Sequence, residues 1–234
     1  MLPTALHIPD GFLSGGVAAV AAIVAVAAVA YGLKVADRDL DEARVPLLGV
    51  LAAFIFATQM LNFPIAGGTS GHLLGATLAA VLLGPWIACL VMAVVLTAQA
   101  FLFADGGITA LGANVLNMGV LGALLAGFMV AALVRMLPPS RGAYLGAVAV
   151  TSWLAVMVGA GATGIQLAIS GTVPLGTVMP AMLGVHALIG IGEAVITVAA
   201  VSAVLAARPD LVAIGGKFEP AGFAPRARTA GGQV

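Results

Sequence analysis

Apolar runs alternate with short polar, glycine-rich or proline-rich breaks along this sequence. A helix needs about 20 mostly apolar residues to cross the hydrocarbon core of a bilayer. Residues 15–32, 45–60, 86–103, 111–133, 144–168 and 178–206 approach or exceed that length. A shorter run, 70–83, reads as a third span that opens with Ser70 as its N-cap and His72 in its first turn. Asn62-Phe63-Pro64 and Ala66-Gly67-Gly68 break the chain before it, and Gly84-Pro85 turns it afterwards. Asp105-Gly106-Gly107 and Pro138-Pro139-Ser140 separate later spans. The pattern predicts an all-α, polytopic membrane helix bundle of about seven transmembrane helices. It forms one domain over 1–206, followed by a weakly ordered tail over 207–234.

Composition sharpens this picture. The 234 residues are 62% apolar and 8% charged, whereas a soluble domain is about a quarter charged and under half apolar. A soluble monomer and a disordered chain are both excluded. Zero formal net charge gives no footprint for nucleic acid. The lone Cys89 forms no internal disulfide and reads as packing.

Charge placement sets orientation. Lys34, Arg38 and Arg44 lie in the first connection, Arg135 and Arg141 in the fifth, and Arg208, Lys217, Arg226 and Arg228 in the tail. With seven spans these regions share one side, so the positive-inside rule puts the N-terminus outside and the C-terminus in the cytoplasm. A cleavable signal would carry its positive charge before the first apolar run; here it follows, which predicts a retained helix.

Few side chains can do chemistry. No phosphate-binding GxxxxGK[ST] motif is present, nor HExxH, nor GxSxG. His7 and His72 both fall on the outer side, and neutral imidazoles are common ligands of borderline transition metals. On spacing alone, two other roles stay open: His7 as a loop residue and His72 bonded to a neighbouring carbonyl. His186 and Glu193 stand seven residues apart on one face of the last span. They read either as an intramembrane ion site or, preferably, as polar groups fastening that helix to the bundle. Ala53 and Ala57, four apart, would let another membrane helix approach closely.

Longer motifs carry a resemblance. His7-Ile8-Pro9-Asp10-Gly11-Phe12-Leu13-Ser14 is similar to the start of the CbiM/NikM family, the substrate-binding (S) components of cobalt and nickel ECF-type ABC transporters. Asn62-Phe63-Pro64-Ile65 resembles that family too, as does Gly67-Gly68-Thr69-Ser70-Gly71-His72-Leu73-Leu74-Gly75. So do the segment from Phe103 to Asn114, with Asn117-Met118-Gly119 after it, and His186-Ala187-Leu188-Ile189-Gly190-Ile191-Gly192-Glu193. The resemblance covers about residues 6–206.

It implies a nearly square-planar nitrogen site for Co2+ or Ni2+, bound as substrate rather than as a cofactor. The donors are an N-terminal amine, the next amide nitrogen, that residue's imidazole and a second imidazole. Carried onto this sequence they are the backbone nitrogen of Leu6, the amide and ring of His7, and the ring of His72. In the family the histidine is the second residue; here it is the seventh. Either translation starts at Leu6, so that residues 1–5 are absent, or the extension is real and the site is rebuilt. The chemistry favours the first, because an α-amine loses its proton to a metal far more readily than an amide does. Asp10, Asn62, Asn114, Asn117 and Asp105 are candidates to hydrogen-bond the ligating imidazoles.

The resemblance also implies partners in a bacterial plasma membrane. These are a transmembrane coupling subunit (CbiQ/NikQ-like), two cytoplasmic ATPases (CbiO/NikO-like) and a small accessory membrane protein (CbiN-like). Ala53 and Ala57 would be part of the contact with the coupling subunit. The competing expectation is a self-contained channel or secondary transporter with a midplane site at Glu193 and His186.

Overall fold

The computed structural model describes residues 7–65 and 69–215. Helix α1 (Gly15–Asp39) passes through one 3-10 turn, Glu42–Arg44, into α2 (Val45–Gln59). An antiparallel hairpin follows, β1 (Asn62–Ile65) and β2 (Thr69–His72), with Asn62 opposite His72. Then come α3 (Ala76–Leu83), α4 (Pro85–Phe103) and α5 (Leu111–Val115). The last continues unbroken through a π-helix, Leu116–Leu124, into α6 (Leu125–Met136). Two long helices, α7 (Arg141–Ile169) and α8 (Leu175–Ala207), complete the bundle and pack along each other.

Local chemistry accounts for the boundaries. Ser14 and Ser140 accept the amides of Val17 and Ala143 and so cap α1 and α7. Pro85 begins α4, where its missing N–H costs nothing. Apolar side chains such as Ile23, Val26 and Leu188 are 69%, 68% and 71% exposed, which only a lipid or protein neighbour makes favourable. Five helical runs are long and apolar enough to span a bilayer, and α2 is a shorter apolar helix. This is a multi-pass membrane protein.

The described basic residues gather at one end. Arg141 donates to the Ser202 carbonyl, and the Asp210 pKa is lowered by its hydrogen bonds from Arg208 and, more weakly, by Arg44 nearby. His7 sits at the other end, beside the α4–α5 loop.

The third expected span is where sequence and structure part. Residues 70–83 are not one helix: Ser70 and His72 lie in β2, and helix begins only at Ala76. The eight residues of α3 extend about 12 Å, less than half a bilayer core. All eight are buried. Their apolar character reflects a protein environment rather than lipid, which is where irregular backbone at membrane depth is tolerated. Gly75 makes the turn into α3 at φ +71, and an added Cβ would lie 2.8 Å from Ile55 Cγ1.

Both ends of α3 find partners from distant sequence. Glu193 of α8 accepts the Leu74 and Gly75 amides at 2.8 and 2.7 Å. At the other end the Val81 carbonyl accepts the amides of Ala213 and Ile214 at 3.0 and 3.1 Å. Tyr144 donates its hydroxyl to the Ile214 carbonyl. The segment just beyond α8 is therefore held against the bundle at Ala213 and Ile214.

Candidate metal site

Two separate loops carry His7 and His72. The N-terminal segment is laid across the start of α5 by main-chain contacts. Asn114 accepts the Ile8 amide at 3.1 Å and donates to the Ile8 carbonyl at 3.2 Å, and the Gly107 amide donates to that same carbonyl at 2.9 Å. Asp10 accepts the Thr109 amide at 2.7 Å and the Thr109 hydroxyl, which holds its carboxyl below the usual carboxylate range. The Thr172 hydroxyl donates to the Phe12 carbonyl from the α7–α8 loop. His72, the last residue of β2, enters from the hairpin.

The two rings meet edge to face, centroids 4.7 Å apart and planes at 81°. Both residues are buried. His72 Nδ1 is 2.8 Å from the Leu73 carbonyl, which can only accept, so that nitrogen carries the proton and Nε2 keeps its lone pair. His7 Nε2 faces Gln99 Oε1 at 2.9 Å and Asp105 Oδ2 at 3.8 Å. Its proton therefore belongs on Nε2, while Nδ1 has no hydrogen-bond partner among the described residues. Burial lowers the His7 pKa to about 4 against the pull of Gln99. Burial, with His7 alongside, lowers that of His72 to about 3. Two neutral imidazoles, each with a lone pair available, thus share a cavity of about 60 Å³ that Asn114, Asn117, Thr163 and His186 also line.

The other sequence candidates separate into distinct places. Asp105 stands behind the His7 ring, where a carboxylate would hold its tautomer. Asn114 and Asp10 grip the main chain around His7. Asn117, in the π-helix, donates to Thr163 and Gln166 on α7 and accepts from Gln166 in return. Asn62 is known here only through its backbone pairing with His72. Leu6 lies outside the described residues.

Sequence reasoning gave Gln99 no role, yet it is fully buried against His7. Its position in the last turns of α4, a helix whose only other polar side chain is Thr97, was the available signal. His186, read as a fastening group, donates Nδ1 to the Met182 carbonyl at 2.7 Å and forms part of the cavity wall. Glu193 does fasten α8, and it does so to the chain following His72. Among the described residues no three His, Cys, Asp or Glu side chains converge on one point. An ion held here therefore needs donors besides those side chains.

The geometry is thus a multi-pass bundle with a small cavity near one end, walled in part by three imidazoles. The comparisons then give the family. The family described as "CbiM: Cobalt uptake substrate-specific transmembrane region" matches residues 7–211, and the chain belongs to it. A fused nickel transport protein NikMN of Rhodobacter capsulatus is 38% identical over 228 residues, covering 89% of this chain and 64% of its own length. The chain thus spans about two thirds of that fused protein. A relative in Archaeoglobus fulgidus, also named for nickel transport of the fused NikMN kind, is 42% identical over 209 residues, covering 88% of this chain and 68% of its own. A solved structure, a truncated transition metal transporter, superposes with a TM-score of 0.75 at 34% identity, covering 86% of this chain and 98% of that one.

Proposed function

We propose that this chain is the ion-capturing S-component of an energy-coupling-factor transporter for Ni2+ or Co2+. Its ion is held by the rings of His7 and His72 with main-chain nitrogens of Leu6 and His7. One observation carries this reading: among the described residues, the His7 ring nitrogen without a partner is Nδ1. That is the nitrogen able to close a six-membered chelate ring through the same residue's main-chain nitrogen. An amine on Leu6 would add a five-membered ring, and His72 Nε2 the fourth position. Four nitrogens in a plane suit Ni2+ and low-spin Co2+ and do not suit the tetrahedral preference of Zn2+ or the oxygen preference of Mg2+ and Ca2+.

Both rings are neutral at pH 7, so neither must lose a proton before binding. Capture from the outer face follows from the positive-inside rule, since the basic residues gather at the end remote from His7. The sequence contains no nucleotide-binding motif, so the energy comes from cytoplasmic ATPases acting through a coupling subunit, with a small accessory membrane protein.

Equilibrium dialysis of the purified protein against Ni2+ and Co2+ tests the site. His72→Ala and His7→Ala are each expected to weaken binding at least 100-fold. Wild-type affinity in either variant would overturn the assignment. Intact-mass analysis of natively expressed protein checks the Leu6 amine: a chain retaining residues 1–5 removes it from the donor set. The midplane-channel reading predicts metal uptake into vesicles by this chain alone. The carboxylate of Glu193 is already engaged by two amides, so no uptake is expected without the ATPases.

A further inference from the structure

Three residues, Leu73, Leu74 and Gly75, link His72 to helix α3, and side chains from two remote helices hold them. The His72 ring is oriented by its own hydrogen bond to the Leu73 carbonyl. The Leu74–Gly75 peptide group is gripped from both sides: Gln59 Nε2 donates to the Leu74 carbonyl at 2.9 Å, and Glu193 Oε1 accepts the Gly75 amide at 2.7 Å. Glu193 Oε2 also accepts the amide of the preceding peptide, that of Leu74, at 2.8 Å. Gly75, the N-cap of α3, has no side chain, and Glu193 reaches from α8 to accept its amide, the donor that the glutamate of a capping box engages. Gln59 is fully buried and Glu193 nearly so, at 0% and 3% exposure.

We infer that Gln59 and Glu193 are positioning residues for metal capture: without touching the ion, they fix the Leu73–Gly75 backbone and with it the angle at which His72 meets His7. This rests on the nitrogen-site reading above. A mere fastener between α8 and the bundle could attach to any buried donor. These two residues instead hold opposite faces of one peptide, two residues beyond a proposed ligand. Glutamine at 193 would accept one amide and turn an NH2 group toward the other, so the turn must shift although the volume is unchanged. Methionine at 59 fills similar space and removes the donor to Leu74. Groups that orient a ligating histidine typically matter by about 10–100-fold in metal affinity.

The experiment compares wild type, Glu193→Gln, Gln59→Met and His72→Ala as purified full chains in detergent. Ni2+ affinity is read by equilibrium dialysis, the ligand field by visible absorption and circular dichroism of bound Ni2+, and the fold by thermal unfolding without metal. Glu193→Gln and Gln59→Met are expected to unfold cooperatively, bind Ni2+ about 10–100-fold more weakly and show an altered Ni2+ spectrum. A folded variant of either kind with wild-type affinity and spectrum overturns the role of that residue, even if its melting temperature falls. If Glu193→Gln does not fold, Gln59→Met alone decides, since it leaves the helix-capping carboxylate in place. Failure of wild type to bind, or normal binding by His72→Ala, would instead refute the nitrogen site itself.

Discussion

His7 and His72 are equally buried and lie ring to ring, but what holds them differs. The ring of His7 meets buried Gln99 of α4, but the main chain around it is tied by Asn114 of α5 and by its own loop's exposed Asp10, which accepts from Thr109. The main chain just beyond His72 is anchored by Gln59 and Glu193, buried polar groups on α2 and α8. Contacts of the first kind can open one at a time with little effect on the bundle. Contacts of the second kind are part of the bundle, because a buried acceptor left unpaired is costly. The difference suggests a site with one mobile jaw and one fixed jaw.

The largest expected effect comes from disturbing the fixed jaw. Gly75→Ala forces a Cβ into a left-handed backbone and against Ile55. It should cost about 3 kcal/mol, read as a lower midpoint in thermal unfolding, with Ni2+ binding lost alongside. An unchanged midpoint would mean the turn is as loose as the N-terminal segment.

Acid should act on both jaws. The folded pKa values, about 4 and about 3, lie below the ordinary histidine value of 6.5. The unfolded chain therefore binds more protons than the folded one as pH falls below 6.5, and stability drops with pH. Between pH 7 and 5.5 the loss should be about 1 kcal/mol for each imidazole. His7→Gln should remove only its own share, leaving a slope that belongs to His72. No change in the pH slope would show that His7 is solvated in the metal-free protein.

Asn114→Ala tests the mobile jaw. It leaves the Ile8 peptide without two hydrogen bonds, worth about 1 kcal/mol together. Hydrogen exchange should quicken at Ile8 and stay slow at Leu74, with Ni2+ binding weakened about 10-fold. Equal quickening at both amides would contradict the two-jaw picture. The smallest effect is expected from Asp10→Asn, which keeps an oxygen for Thr109 on an exposed loop: at most a few-fold change in Ni2+ affinity by dialysis.

The long lipid-facing helices were legible because hydropathy measures transfer into apolar surroundings, and α1, α4, α7 and α8 meet such surroundings over most of their length. The same measure misread residues 70–83. Leu73–Leu83 is apolar because protein surrounds it, and hydropathy does not distinguish protein from lipid. The hairpin before it is short, and Ala66-Gly67-Gly68 between its strands lie outside the described residues. At the site, the two histidines could be singled out because few other groups in the chain bind metals. Gln99 could not, since a lone amide in an apolar helix has many uses until its neighbour across 92 residues is known. The π-helix that carries Asn117 toward α7 has no counterpart in the spacing of apolar positions.

The clasp formed by Ala213 and Ile214 on Val81 has a practical consequence for anyone fusing a reporter to this protein. Joining a fluorescent domain directly after Ala207 would strip two donors from the Val81 carbonyl near the end of α3 and remove the Ile214 carbonyl that accepts from Tyr144. The linker should begin past Gly215, and hybrids cut shorter are expected to be selected against during expression.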